Sequence, residues 1–196
     1  LRLPLAARIT MLLWFIAAAA AGASGILLRV PFPVPQIAIL GLVAASLVAA
    51  TTVPSVRAWI DALPLRTLVA ANALRFIGIV FLVLAARGQL APVFADRAGW
   101  GDITTAALAL VLVATGAPRT AAHRAAYHVW NVLGALDLIV AVGTATWVVL
   151  HDLQPGVQFV VAFPLSLVPL FFVPLFLVGH VFIFRHLVAA GRSGAR

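Results

Sequence analysis

Polar side chains stand inside apolar runs at six places: Asn72, Arg75, Asn131, Asp137 and His180 within runs, and Asp102 at the head of one. A charged group near the middle of a bilayer costs about 3 kcal/mol on insertion scales and more in simulations. Such residues therefore pair with one another or line a path for ions and solutes. Asp137 is the sharpest case. It lies in YHVWNVLGALDLIVAVGTATWVV, residues 127–149, together with His128 and Asn131. Arg75 follows Arg66 by nine residues, about 13 Å of helix, which is too deep for simple snorkelling. A buried Arg75–Asp137 pair is the expectation, with Asn72 on the same helical face as Arg75.

Depth decides what else can join the pair. Asn131 precedes Asp137 by six residues, about 9 Å nearer one surface. His180 precedes Arg185 by five residues on a span running the opposite way, which brings it close to the level of Asn131. Arg75, Asn131, Asp137 and His180 are thus expected to line one internal cavity, with Gly134 giving room. His128 is about 180° around the helix from Asp137 and reads as an interfacial side chain. A wholly structural reading stands beside this one: the pair and its neighbours could simply fix helix packing.

Three chemistries fit these residues. The first is a proton or small-solute pathway with Asp137 and His180 as titrating groups. The second is a b-type haem held by His180 and either His128 or His123 from a neighbouring helix. The third is an enzyme acting on a lipid or an intramembrane peptide bond. Gly99-Trp100-Gly101-Asp102 matches the letters GxGD of intramembrane aspartyl proteases, with Asp137 as the second carboxylate. Against it, those enzymes carry the other Asp before GxGD, whereas here the order is reversed. Asp102 also reads as the N-cap of a helix at the outer membrane edge. No HExxH or similar spacing points to zinc.

The elements that must position these groups are membrane spans. The chain has 196 residues, 64% hydrophobic and 9% charged, against about 25% charged in soluble domains. Its solvent must be largely lipid. The net charge of +8 comes from single arginines at the ends of apolar runs, which suits membrane flanks and not nucleic acid. Lysine and cysteine are both absent. Schiff-base chemistry on this chain, disulfides and thiolate-bound clusters are excluded.

Hydropathy and punctuation predict six spans in a single transmembrane domain, at about 9–28, 36–52, 67–86, 103–115, 127–149 and 160–187. The first reads as an uncleaved span, not a signal peptide, and its small residues 17–25 suit close helix approach. Pro31, Pro33 and Pro35 make the next connector non-helical. Residues 87–102, with Pro92, Gly99 and Gly101, read as a surface loop, with Phe94 and Trp100 at the membrane interface. The fourth span is then short for a crossing. Pro164, Pro169 and Pro174 bend or break the sixth. With six spans, one side carries Arg2, Arg8, Arg57, Arg66, Arg119, Arg124, Arg185, Arg192 and Arg196, and the other Arg29, Arg87 and Arg97. Nine against three places both termini in the cytoplasm. The two halves show no matching proline pattern, so an inverted repeat is not indicated.

From about Arg75 onward the chain resembles a group of small, uncharacterised bacterial integral membrane proteins. The resemblance rests on Arg75-Phe76-Ile77-Gly78, on Ala98-Gly99-Trp100-Gly101-Asp102, and on the stretch from Trp130 to Leu138, WNVLGALDL. Phe163-Pro164, Pro169, Val173-Pro174 and His180 extend it, while Arg97 stands where the group often has proline. It covers a little over half the chain. It implies an inner-membrane multi-pass protein in which Arg75, Asp102, Asn131, Asp137 and His180 form a shared motif set, and it implies no particular activity. The reading from sequence is an all-α bundle of six spans with no soluble domain. Its surroundings are membrane lipid, with self-association left open. It holds a buried polar site that serves a small solute or protons, with a haem protein and an intramembrane enzyme as alternatives.

Overall fold

Long apolar segments in lipid have one economical conformation, because only a helix satisfies every backbone donor and acceptor within the segment. The computed structural model describes residues 3–193, with side chains described as far as Ala189, and every regular element among them is helical. Arg2 and Arg196, on which part of the orientation expectation rests, lie outside the described residues, as does the side chain of Arg192.

Six helices are long and apolar enough to cross a membrane. We label them, with one short surface helix, α1 (Leu5–Ala23), α2 (Val34–Thr52), α3 (Pro54–Asp61), α4 (Leu65–Ala86), α5 (Pro92–Thr115), α6 (Ala121–Leu150) and α7 (Val168–Ala189). Punctuation explains most of the boundaries. Pro54 takes the first turn of α3, where a missing N–H costs nothing. The Thr120 hydroxyl caps α6 by accepting from the His123 N–H at 3.1 Å, the usual work of an N-cap threonine. The Tyr127 hydroxyl stands 2.8 Å from the Leu112 carbonyl and 2.9 Å from that of Gly116. It thereby serves the orphan acceptors at the end of α5.

Four helices, α4 to α7, make the centre. The closest association is between α5 and the middle of α4, and α7 packs on both α2 and α6. The outer helices α1 and α2 bury little: Ala18, Gly22 and Ala50 are their only buried residues. Trp14 fastens α1 to α7 by donating to the Leu170 carbonyl at 2.8 Å. Gly22 lies against Ser166, whose hydroxyl a Cβ there would strike. The apolar core comes in two parts. One gathers Leu68, Val69, Leu112, Tyr127, Trp130 and Phe182. The other gathers Phe81, Leu90, Phe94, Val148, Val157 and Val160. Along α4, α5 and α6 the polar residues Arg75, Asp102 and Asp137 fall between these two parts in sequence.

Two expectations are corrected. Residues 92–102 are not a surface loop. Pro92 opens α5, a π-turn spans Ala95–Gly99, and the helix continues through Trp100 to Thr115. Phe94, Ala95, Ala98 and Gly99 are buried there, and Phe94 packs on Phe81 at 5.5 Å between ring centroids. The short fourth span is therefore a full crossing that begins eleven residues earlier than hydropathy suggested. Its small residues let it press on α4: a Cβ on Gly78 would lie 2.5 Å from the Gly99 carbonyl oxygen. The sixth span likewise begins at Val168 and not at 160, because residues 162–166 leave the helix around Pro164. Its first turn, Val168–Phe172, is again a π-turn.

Candidate functional site

Asp102 is the second consequence of the longer α5. It is not an N-cap at the membrane edge but a buried residue within the helix, three positions after the π-turn. Arg75 reaches it from α4, from a stretch, Ala71–Ile77, tightened to 3-10 geometry. Tightened and π-type turns often mark strained or functional positions in a helix. Here they flank the closest contact of α4 with α5.

Arg75 is completely enclosed, with 0% of its side chain exposed. Its planar fork meets three acceptors. Nε donates to Asp102 Oδ1 at 2.7 Å, Nη1 donates to the Gly134 carbonyl at 2.9 Å, and Nη2 donates to Asp137 Oδ2. One guanidinium thus ties α4 to a carboxylate on α5 and to a carboxylate and a backbone carbonyl on α6. Arginine suits this because its donors are fixed in a plane and its charge cannot be lost. A buried charge of this kind persists only when paired and hydrogen-bonded.

Each carboxylate keeps one oxygen outside the pairing. The Asp102 side chain is 9% exposed and that of Asp137 15%, and among the described residues neither second oxygen has a hydrogen-bond partner. They open in different directions. Asp102 and Arg75 line a cavity of about 550 Å³ whose walls are mostly apolar. Asp137 lines a second, of about 330 Å³, between α5 and α6, with Trp100, Gly101, Thr104, Thr105 and Leu133. Gly101 makes room for the Asp137 carboxylate, which a Cβ there would strike.

His180 and Asn131 form a second polar pair beside the first. The Asn131 amide nitrogen donates to the His180 carbonyl at 3.0 Å, which turns the amide oxygen toward His180 Nδ1 at 2.9 Å. An oxygen there requires Nδ1 to carry hydrogen, so Nε2 is left an acceptor. Nε2 is buried without a partner among the described residues. Gly134 joins the two pairs: its carbonyl accepts from Arg75, and a Cβ on its other side would stand 2.7 Å from His180 Cε1. Trp130 completes the wall. Its indole donates to the Thr105 carbonyl at 3.0 Å and its ring lies 5.7 Å from the imidazole of His180.

The structure thus brings Arg75, Asp102, Asn131, Asp137 and His180 into one polar layer joined through Gly134. Asn72 is buried on the same helix as Arg75, but its amide donates to Leu68 of its own helix at 3.2 Å. His128 packs on Phe184, with 5.6 Å between ring centroids, and His123 packs on Tyr127 and contacts Thr115. His123, His128 and His180 are each engaged by different neighbours. Among the described residues no three His, Cys, Asp or Glu side chains converge as a metal site. The aspartyl-enzyme alternative loses its geometry as well. A catalytic dyad needs two carboxylates sharing a proton, and here a guanidinium stands between Asp102 and Asp137.

The comparisons add a family. Residues 32–188 match the model of a domain of unknown function (DUF8737), which spans most of the chain, and the protein belongs to that family. No curated protein and no solved structure matches the chain.

Proposed function

We propose that this DUF8737 member is a multi-pass protein of the inner membrane whose Arg75–Asp102–Asp137 cluster passes protons, or a small cationic solute, at mid-bilayer depth. The observation that carries this reading is a charge count joined to a geometry. Two carboxylates share one guanidinium, which leaves a place for one further positive charge. The two aspartates that would receive it line separate cavities. Intramembrane ionisable groups are functional by default, because a purely apolar contact would hold the helices without their desolvation cost. His180 Nε2, an acceptor beside Gly134, supplies a further station next to the cluster. The arginine excess on the side of α3 and the α5–α6 connector orients both termini toward the cytoplasm.

Proteoliposomes with an entrapped pH-sensitive dye test the reading. An imposed potential should drive proton uptake, and Asp137→Asn should abolish it. Flux equal in the variant and the parent protein, or no flux above protein-free vesicles under any imposed gradient, would overturn it.

A further inference from the structure

The larger cavity is more than the vestibule of a charged cluster. Along α6 its wall runs from Leu138 to Val149, about 16 Å of helix axis. Phe81 and Phe94 close one side, and Leu165, Val168 and Phe172 another. The Pro-rich connector between α1 and α2 covers it with Leu28, Val30 and Phe32, whose neighbourhood is exposed on its outer face. One hydrocarbon chain or a flat ring system fits a bore of this size, which lies within the range of small-molecule sites.

Two buried acceptors belong to residues that line this space. Asp102 lines it and keeps one oxygen outside its pairing with Arg75, and Gln36, on the connector side, has a buried side-chain oxygen without a partner among the described residues. Both accept hydrogen bonds. The Arg75 guanidinium beside Asp102 already donates in three directions. An occupant that satisfies Asp102 brings a donor of its own, and an anionic head would meet a layer that already holds more carboxylates than cations.

From this we infer that the cavity is a binding site for a neutral amphipathic molecule: a single hydrocarbon chain or flat ring body ending in a hydroxyl group that donates to Asp102. The inference goes beyond the proton reading and does not depend on it. Entry is lateral, past the connector that carries Pro31, Pro33 and Pro35. The body lies along α6 and the hydroxyl reaches the charged layer.

Photolabelling of the purified full chain in detergent tests this. The probes are dodecan-1-ol carrying a mid-chain diazirine and its methyl ether, which keeps the body and loses only the donor. The alcohol should label peptides of α6 or residues 160–176. The ether should label them about tenfold less, as expected for one hydrogen bond to a charged acceptor. Ala145→Trp, and separately Leu165→Trp on the facing wall, fill the cavity without touching Arg75 or its partners. Whichever remains monodisperse on size exclusion should lose the labelling. Equal labelling by alcohol and ether, labelling spread over α1 and α2, or labelling that survives a folded cavity-filling variant would overturn the assignment. Labelling without proton flux would leave this site standing and remove only the proton reading.

Discussion

Removing the guanidinium is the perturbation with the most sharply defined consequence. Arg75→Met keeps an unbranched side chain of similar length but deletes all three donors. Two carboxylates and the Gly134 carbonyl are then left in a layer where Arg75 had no exposure at all. Breaking a buried ion pair from one side costs about 3–5 kcal/mol, mostly through the charge left behind. At about 2–4 °C per kcal/mol for a chain of this size, the melting temperature should fall by roughly 6–20 °C. Replacing the whole set with neutral groups is a different matter, since an apolar or neutral substitute for a buried pair is often close to neutral in stability. The triple variant Arg75→Met, Asp102→Asn, Asp137→Asn should recover at least half the loss. Thermal unfolding followed by size exclusion in detergent measures both. An Arg75→Met protein within about 1 kcal/mol of the parent, or a triple variant no more stable than the single one, would refute the reasoning that Arg75 holds both aspartates.

The remaining predictions use the glycines and the surface. Gly78→Ala puts a methyl group 2.5 Å from the Gly99 carbonyl oxygen, so overpacking should cost about 1–3 kcal/mol in the same assay. Gly179→Ala, on α7 with nothing within 4 Å of the new Cβ, should instead be neutral or gain up to about 1 kcal/mol of helix propensity. Asn131→Leu should release the His180 ring from its fixed tautomer, seen as a changed pair of imidazole nitrogen shifts by NMR, whereas His128→Gln should leave those shifts in place. Asp61→Asn breaks an ion pair with Arg185 at 3.1 Å in which both side chains are over a third exposed, and its effect on unfolding should stay below about 1 kcal/mol.

How much of this was written in the sequence differs from residue to residue. The six crossings were legible because lipid demands some twenty apolar residues per helix, and that demand survives any detail of packing. The meeting of Arg75 with Asp137, and of Asn131 with His180, was legible from depth alone, since counting residues from the span ends shows which side chains share a level, whether the helices run the same way or oppositely. Asp102 was not. Pro92, Gly99 and Gly101 look like loop residues when counted one by one, yet proline is a natural first residue of a helix. The glycines face α4 and the Asp137 carboxylate, where any side chain would collide. The available signal was the thirteen-residue length left for the fourth span, about 20 Å and well short of a bilayer. It pointed to missing helix upstream and so to Asp102 at depth. The Gly134 carbonyl was also beyond sequence reading, because a backbone acceptor carries no letter of its own. Ring orientation was likewise not legible: shared depth does not say which way an imidazole faces, and the rings of His128 and His123 turn to Phe184 and Tyr127.

The account rests on one arginine holding two aspartates from different helices at bilayer depth. Nitrogen–carbon dipolar recoupling by solid-state NMR, on protein in lipid bilayers with labelled arginine and aspartate side chains, measures this directly. Arg75 should show strong couplings to the carboxyl carbons of both Asp102 and Asp137, each about 3–4 Å away as in charge-assisted hydrogen bonds. A coupling to only one of them, or to neither, would contradict the claim.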